Sequence, residues 1–213
     1  MKNIGLYLII SKPQLTYEEI AEVCVEEEVA FLQFREKELC DREILQHSKK
    51  LKKILNGSKT QLVVNDRPDI ALLAQADVLH LGQDDIPVTD ARRIVGNMPI
   101  GISTHNLKQL SEALQLKPIY VGFGPVFPTT TKKNPDPVVG IDLLKQALHI
   151  ATVPVVAIGG IFPENIDQVL LAGVRNICMV RYFMDSKSKK ELQEKIRFIN
   201  QKIKAYDTST TSH

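Results

Sequence analysis

The sequence predicts an α/β protein folded as a single (β/α)8 barrel, a TIM barrel in which a helix follows each parallel strand. Eight short apolar segments alternate with amphipathic ones along the 213 residues, and polar residues cluster where the apolar segments end. Such alternation is typical of a parallel sheet, and eight repeats in this length favour a closed barrel. An open doubly wound sheet is the alternative, although no Gly-x-Gly-x-x-Gly turn follows the first strand.

The composition is that of an ordinary soluble globular protein, with 44% hydrophobic and 24% charged residues. A net charge of +2 and the lack of a long basic block argue against nucleic acid as a partner. No apolar run approaches the roughly 20 residues that span a bilayer, so we expect no membrane partner. The N-terminal apolar run reads as a first strand rather than a signal peptide, which predicts a cytoplasmic protein.

The predicted strands are mostly apolar on both faces, as expected for a sheet covered on both sides. They cover residues 4–10, 30–35, 61–64, 78–81, 100–102, 119–121, 153–158 and 177–180. Thr16 and Glu19 form a capping-box pair that begins the first helix, and later helices start near residues 41, 68, 88, 107, 140, 163 and 188. We expect one domain over residues 1–206 and a disordered tail over residues 207–213.

The second strand ends in a cationic cluster. With a period of two, Gln33, Arg35 and Lys37 share one face, whereas Phe34 packs outward against helices. Because catalytic groups of such barrels lie at the carboxyl ends of the strands, these residues point toward the mouth. Two inward cations are costly unless an anion meets them, which predicts an anionic ligand. A solvated strand edge is the alternative interpretation.

Acidic residues follow the third and fourth strands. Asn65 and Asp66 come after the third strand, and Asp84 and Asp85 come after the fourth. Carboxylates from adjacent strand ends would face each other, and such hard oxygen ligands suit Mg²⁺, which takes its other ligands from water and phosphates. The alternatives are that Asp66 caps the helix starting at Pro68, and that the aspartate pair forms a turn.

A second anion site is predicted near strands six to eight. The loop after the sixth strand offers close backbone amides, hydroxyl donors and positive charge, from Gly122, Gly124, Thr129, Thr130, Thr131, Lys132 and Lys133. Gly159 and Gly160 follow strand seven, and Arg181 follows strand eight, where many barrels bind a phosphate. An ordinary solvated loop is the alternative interpretation for the threonine-lysine stretch.

The fifth strand ends in Ser103 and His105. Ser103 adds a hydroxyl donor to the same rim of the predicted barrel. A lone histidine such as His105 is more often structural than catalytic, so both interpretations stay open for it.

With these segments in place, the chain resembles the thiamine phosphate synthase family. The resemblance lies in residues 33–37, 65–66, 80–85, 101–103, 122–132 and 157–161, in the family's order and spacing across roughly residues 4–180. It implies a TIM barrel that joins hydroxymethylpyrimidine diphosphate to thiazole phosphate, giving thiamine phosphate and diphosphate. In this family diphosphate leaves first and the thiazole nitrogen traps the pyrimidine methyl cation. The partners implied are small molecules, and a homo-oligomer is compatible with such barrels.

The resemblance also implies roles for individual residues. The pyrimidine diphosphate would be held by Gln33, Phe34, Arg35, Glu36, Lys37, Asn65, Ser103 and Lys132. Among these, the catalytic group would be Arg35, Lys37, Ser103 and Lys132. Asp66 and Asp85 would bind Mg²⁺ as the cofactor. The thiazole phosphate would be held by Thr129, Thr130, Thr131, Gly160, Val180 and Arg181.

One position departs from the family pattern. The family's eighth strand usually ends in Val-Ser, but here Val180 is followed by Arg181. A guanidinium suits a phosphate, yet Arg181 could equally fill the pocket or point outward. Two other functions are considered: a thiazole tautomerase of the same fold, which would use His105, and a non-catalytic regulator that binds thiamine precursors. Retention of Arg35, Lys37, Asp66, Asp85 and Lys132 favours the synthase.

Overall fold

The computed structural model describes residues 4–130 and 136–209. Eight parallel strands pair in sequence order, and the last strand pairs with the first, which closes the barrel. Every neighbouring pair is parallel, from β1 with β2 to β7 with β8. The predicted TIM barrel is therefore confirmed, and the open doubly wound sheet is excluded.

Strands and helices alternate as predicted. The strands are β1 Leu6–Ile10, β2 Phe31–Phe34, β3 Gln61–Asn65, β4 Val78–Leu81, β5 Ile100–Thr104, β6 Tyr120–Phe123, β7 Val155–Ile158 and β8 Asn176–Cys178. The helices are α1 Tyr17–Glu26, α2 Asp41–Leu55, α3 Pro68–Leu73, α4 Val88–Val95, α5 Leu107–Gln115, α6 Gly140–Ile150, α7 Ile166–Leu171, α8 Arg181–Met184 and α9 Lys189–Ser209. Within these described stretches, no helix combines the length and apolar character that a membrane span requires.

The C-terminal region differs from the prediction in two places. β8 ends at Cys178, so Val180 and Arg181 lie at the start of the short helix α8 rather than at a strand end. A four-residue helix is too short for a periodic apolar pattern, so the sequence offered no signal for it. Helix α9 continues to Ser209, past its predicted end and into the predicted tail, whereas residues 210–213 lie outside the described residues.

The core has two apolar layers, one inside the barrel and one between the strands and the surrounding helices. Side chains alternate along each strand, so in β1 Tyr7 and Ile9 pack inside the barrel while Leu6, Leu8 and Ile10 pack toward the helices. The outer layer is the larger one and joins strands to helices all around the ring. The inner layer also contains tyrosine hydroxyls, which need polar partners because they are buried.

Helix α1 shows how the sequence places these layers. The side chain of Thr16 accepts a hydrogen bond from the Glu19 amide at 3.2 Å, and Glu19 accepts from the Thr16 amide at 2.9 Å, which confirms the predicted capping box. The helix then buries Ile20, Ala21 and Val23 against the barrel. Each cap of this kind typically stabilises a helix start by about 1 kcal/mol.

Candidate active site

A cavity of about 300 Å³ opens at the carboxyl end of the barrel. Most of its lining comes from residues that follow strands, as expected for a TIM barrel. Among the residues that the family resemblance assigns to the two substrates, seven line it: Arg35, Ser103, Thr129, Thr130, Gly160, Val180 and Arg181. The predicted residues of the second, fifth, sixth, seventh and eighth strands therefore share one cavity.

A second group of predicted residues lies beside Arg35. Lys37 forms an ion pair with Asp66 at 3.0 Å between the ammonium nitrogen and a carboxylate oxygen. Asp66 in turn shares a hydrogen bond with Asp85. The charge of Arg35 also acts on Asp66, which connects this acidic pair to the side of the cavity that Arg35 lines.

Backbone geometry aims the two carboxylates toward each other. Asp66 has a φ of 62°, a left-handed conformation that is uncommon for residues other than glycine but tolerated by aspartate. Helix α3 is capped by Arg67, not by Asp66, so the helix-cap interpretation of Asp66 is wrong. Asp85 accepts a hydrogen bond from the Gly82 amide at 2.6 Å, so it closes a turn and faces Asp66 at the same time.

The pKa values of the two aspartates move in opposite directions. Burial and the hydrogen bond with Asp66 raise the pKa of Asp85 to about 6. Burial acts to raise the pKa of Asp66 too, but the hydrogen bond with Asp85 and the charge of Lys37 outweigh it, so that pKa is lowered. Two neighbouring carboxylates that share a proton form a site where a divalent cation relieves repulsion.

These residues fit Mg²⁺. The ion commonly binds to only one or two protein carboxylates and completes its octahedron with water and substrate phosphates. Among residues 4–130 and 136–209, no group of three or more histidines, cysteines or acidic residues is arranged so that it could hold a metal ion by itself. A pair of aspartates beside Lys37 and Arg35 therefore suits a metal that arrives with a diphosphate.

Three residues of the second strand segment lie elsewhere than at the cavity surface. Gln33 is 1% exposed and donates a hydrogen bond to the Tyr7 hydroxyl at 2.7 Å inside the barrel. Phe34 packs outward, as predicted, against the ring of Tyr17 at 5.1 Å between centroids. Glu36 accepts a hydrogen bond from the Lys12 amide at 2.8 Å and is almost fully buried. The side chains of Phe34 and Glu36 thus contact the segment that follows β1, where Lys12 and Tyr17 lie.

Ser103 lies where the inner layer meets the cavity. Its hydroxyl is 2.8 Å from Nε2 of His80, and Nδ1 of His80 is 2.9 Å from the Tyr120 hydroxyl. Asn65, at the end of β3, is in register with His80 of the next strand. Tyr120 was not among the residues predicted for the site. The signal available in the sequence was a polar hydroxyl group within the otherwise apolar strand β6.

His105 fastens the end of β5 to the loop after β6. Its Nδ1 is 2.5 Å from the carbonyl oxygen of Gly124, and its Nε2 is 3.3 Å from a carboxylate oxygen of Asp136. Both ring nitrogens therefore face acceptors, and the side chain is largely enclosed. Asp136 is a second residue that sequence reasoning missed, because only the fold brings it to His105.

Backbone atoms build the wall of the cavity near β6 and β7. The amides of Val126 and Phe127 donate to the carbonyl oxygens of Ile158 and Gly159 at 2.9 and 3.0 Å. Gly160 has a φ of 63°, and a Cβ at this position would lie 2.4 Å from the carbonyl oxygen of Pro128. Only glycine fits this crossing of two loops, where Thr129 and Thr130 also line the cavity.

Arg181 lies in the part of the cavity that follows β8. It is the first residue of α8, it lines the cavity, and its guanidinium pairs with the carboxylate of Asp185 one turn later. Its side chain is 31% exposed, so part of it faces solvent while another part lines the cavity. Each of the two interpretations of Arg181 therefore holds in part. Thr131 and Lys132, which were also predicted for this site, lie outside the described residues.

Comparisons with known proteins agree with this geometry. A family model described as thiamine monophosphate synthase matches residues 6–183, which is most of the chain. A thiamine-phosphate synthase of Vibrio campbellii is 38% identical over 197 residues, covering 91% of this chain and 97% of that protein. One from Dictyoglomus thermophilum is 36% identical over 179 residues, covering 84% of this chain and 79% of that protein.

A solved structure gives the same result in three dimensions. Thiamine phosphate pyrophosphorylase from Pyrococcus furiosus superposes with a TM-score of 0.83 at 31% identity. The match covers 94% of this chain and 96% of that one. The fold of this chain is thus similar, over nearly its whole length, to that of a thiamine phosphate pyrophosphorylase.

Proposed function

The chain belongs to the thiamine monophosphate synthase family and is a transferase of that type, and from this premise we propose how its site performs the reaction. Hydroxymethylpyrimidine diphosphate binds with its diphosphate toward Arg35, Lys37 and the aspartate pair. Thiazole phosphate binds with its phosphate toward Thr129, Gly160 and Arg181. The products are thiamine phosphate and diphosphate.

The observation that carries the proposal is the division of one rim into two kinds of surface. Arg35 lines the cavity and acts electrostatically on Asp66, which pairs with Lys37 and shares a hydrogen bond with Asp85. Across the cavity, a crossing of glycine-rich loops and Arg181 form the other wall. A substrate with two linked phosphates suits the first surface, and a monophosphate suits the second.

The side chains on the diphosphate side stabilise the leaving group. Arg35 and Lys37 place positive charge where diphosphate leaves, and Ser103 adds a hydroxyl donor. Asn65 lies on the adjacent strand end, and Lys132, outside the described residues, stays a predicted member of this group. Mg²⁺, held by Asp66 and Asp85, would supply further charge neutralisation to the departing diphosphate when it is bound.

The reaction needs no base or nucleophile from the protein. The C–O bond to the diphosphate breaks with its electron pair on oxygen, and the lone pair of the thiazole nitrogen forms the new C–N bond. No proton is transferred in either step, which matches a site whose side chains neutralise charge and position substrates. His105 contacts the Gly124 carbonyl oxygen and the Asp136 carboxylate, so it fastens the end of β5 to the loop after β6.

The test is incubation of the purified full chain with both substrates, with Mg²⁺ or with a chelator. We expect thiamine phosphate and diphosphate in equal amounts, formed only with the metal. Aromatisation of a thiazole phosphate tautomer without coupling would instead favour the tautomerase. Binding of either substrate without any turnover would favour a regulatory protein.

We further infer that the chain works in the cytoplasm on these small molecules. A homo-oligomer stays a prediction, to be checked by light scattering on the eluting protein. A single mass of one chain across concentrations would contradict it.

A further inference from the structure

A line of hydrogen bonds crosses the inside of the barrel from Gln33 to Ser103, and we call it the inner chain. It runs from Gln33 Nε2 to the Tyr7 hydroxyl, then to the Tyr120 hydroxyl, each at 2.7 Å. It continues to Nδ1 of His80 at 2.9 Å and from Nε2 of His80 to Ser103 Oγ at 2.8 Å. Its five members come from five different strands, so only the closed barrel assembles them.

The inner chain is built into the core. Gln33, Tyr7 and Tyr120 are each no more than 2% exposed, and His80 is 8% exposed. On β5, Gly101 leaves room for the Tyr120 ring, because a Cβ there would lie 2.2 Å from that ring. His80 and Tyr120 lie nearly parallel, with an interplanar angle of 11°. Ser103 is the member that also lines the cavity.

Chemistry gives the inner chain a direction. The amide nitrogen of Gln33 can only donate, so the Tyr7 oxygen accepts and its own hydrogen points to Tyr120. Tyr120 then donates to Nδ1 of His80, which leaves the ring hydrogen on Nε2. Burial raises the pKa of both tyrosines, so each keeps the single hydrogen that this order needs.

The opposite direction fails at the buried end. If Ser103 donated to Nε2 of His80, Nδ1 would carry the ring hydrogen and donate to Tyr120. Tyr120 would then donate to Tyr7, which already accepts from Gln33. The Tyr7 hydrogen would then face no acceptor among the hydrogen bonds of residues 4–130 and 136–209. A buried donor without a partner is strongly disfavoured.

We propose that Tyr7, Tyr120 and His80 are positioning residues that set the Ser103 hydroxyl as a hydrogen-bond donor toward the cavity. Because Ser103 accepts from Nε2 of His80, its own hydrogen is directed to a ligand acceptor. The ligand class is an anionic phosphoryl oxygen, and this assignment rests on the proposed function. Ser103 is the group that touches substrate, and the other three act through it.

The first test reads the tautomer directly and needs no activity. In the full chain labelled with ¹⁵N-histidine, long-range ¹H–¹⁵N spectra at pH 7.5 report which ring nitrogen of His80 carries hydrogen. The signals are assigned through contacts with the Tyr120 ring protons. We expect a neutral ring protonated at Nε2. A ring protonated at Nδ1, or at both nitrogens, would overturn the proposal.

The second test is a double-mutant cycle with Ser103→Ala and Tyr120→Phe, measured by titration of inorganic diphosphate with Mg²⁺. Each single change should weaken binding by about three- to tenfold, and the double variant should be no weaker than Ser103→Ala alone. Additive losses would mean that Tyr120 does not act through Ser103, and would contradict the proposal.

The matched control is Tyr17→Phe. This hydroxyl is also hydrogen-bonded, to Glu36, but it lies outside the inner chain and outside the cavity lining. We expect the His80 tautomer and the diphosphate affinity to be unchanged in this variant. If Tyr120→Phe does not fold, the His80 tautomer in the unchanged protein still decides the proposal.

Discussion

The two sides of the barrel mouth are formed by different kinds of chemical groups. On the side of β2 to β4, charged side chains meet: Lys37 pairs with Asp66, and Asp66 shares a hydrogen bond with Asp85. On the side of β6 and β7, main-chain groups form the wall, through the amides of Val126 and Phe127 and the close crossing at Gly160.

The difference teaches how each side tolerates change. A side-chain surface loses its function when one charged group is replaced, while the backbone around it keeps its course. A backbone surface depends on the path of two loops, so a single added methyl group moves many contacts at once. The following predictions test this contrast, beginning with the largest effect.

Replacement of Asp85 by asparagine should reduce kcat/KM by about a hundredfold or more, because it removes one of two carboxylates proposed to hold Mg²⁺. Asparagine retains an oxygen that can accept from the Gly82 amide, so the turn and the melting temperature should change little. Steady-state kinetics with saturating thiazole phosphate measures the effect.

The matched control for Asp85 is Asp84→Asn on the same turn. Asp84 is exposed, and the hydrogen bonds to the Gly82 amide and to Asp66 involve its neighbour Asp85 instead. It should retain nearly full activity. Equal losses in the two variants, or full activity in Asp85→Asn, would remove the metal role from Asp85.

Replacement of Gly160 by alanine should raise the KM for thiazole phosphate by about tenfold and lower the melting temperature. The residue has a φ of 63°, and its new Cβ would meet the Pro128 carbonyl oxygen at 2.4 Å, so the loop crossing must open. The KM for the pyrimidine diphosphate should change much less, since that side does not depend on this crossing.

Gly173→Ala is the control that separates the effect of backbone strain from the effect of a change in the cavity wall. Gly173 has a φ of 98°, but an added Cβ there would have Leu148 as its nearest atom at 3.9 Å, which is ordinary contact. It should lose stability through backbone strain alone and keep its affinity for thiazole phosphate. A similar rise in KM in both glycine variants would show that general destabilisation, and not the wall, is responsible.

Arg181→Ser should raise the KM for thiazole phosphate by about three- to tenfold and leave the diphosphate substrate unaffected. The guanidinium lines the cavity, and it also pairs with Asp185. Asp185→Asn releases the guanidinium from that competitor, so it should tighten thiazole phosphate binding slightly. Equal changes in the KM of both substrates for Arg181→Ser would contradict the proposed role.

Sequence reasoning located the side-chain surface better than the backbone surface, for a physical reason. Arg35, Lys37, Asp66 and Asp85 follow recognisable apolar strands, and in a parallel barrel every such strand end reaches one rim. The order of strands then brings neighbours together. The charge of these residues and their position after a strand are both visible in the sequence. The barrel fold alone therefore predicts that the four side chains converge.

The features that were missed depend on depth and on partners distant in the sequence. The period of two placed Gln33 on the inward face, but strand tilt decides that it lies under the rim against Tyr7. Asp136 reaches His105 only through the course of the β6–α6 loop. The family resemblance, which rests on short motifs, marked Gly160 without revealing the loop crossing that requires it.

The smallest expected effect near neutral pH is a pH dependence of Mg²⁺ binding on the side-chain surface. The folded pKa of Asp85 is raised from 3.8 to about 6, so in the metal-free protein its protonated form contributes stability below pH 4, and this is lost as pH rises through 6. Mg²⁺ binding needs the ionised form, so the sign is reversed for the metal.

Between pH 7 and pH 6, the apparent affinity for Mg²⁺ should therefore fall by only about twofold, and between pH 6 and pH 5 by about fivefold. Calorimetric titration of the metal at the three pH values measures this, and Asp84→Asn on the same turn is the matched control, which should follow the same curve as the unchanged protein. Thiazole phosphate is itself a phosphate monoester that titrates near pH 6, so its affinity is compared between the unchanged protein and Asp85→Asn, and the two should show the same pH profile. If Asp85→Asn altered the pH profile for thiazole phosphate, Asp85 would act on both sides of the cavity and the contrast between them would fail.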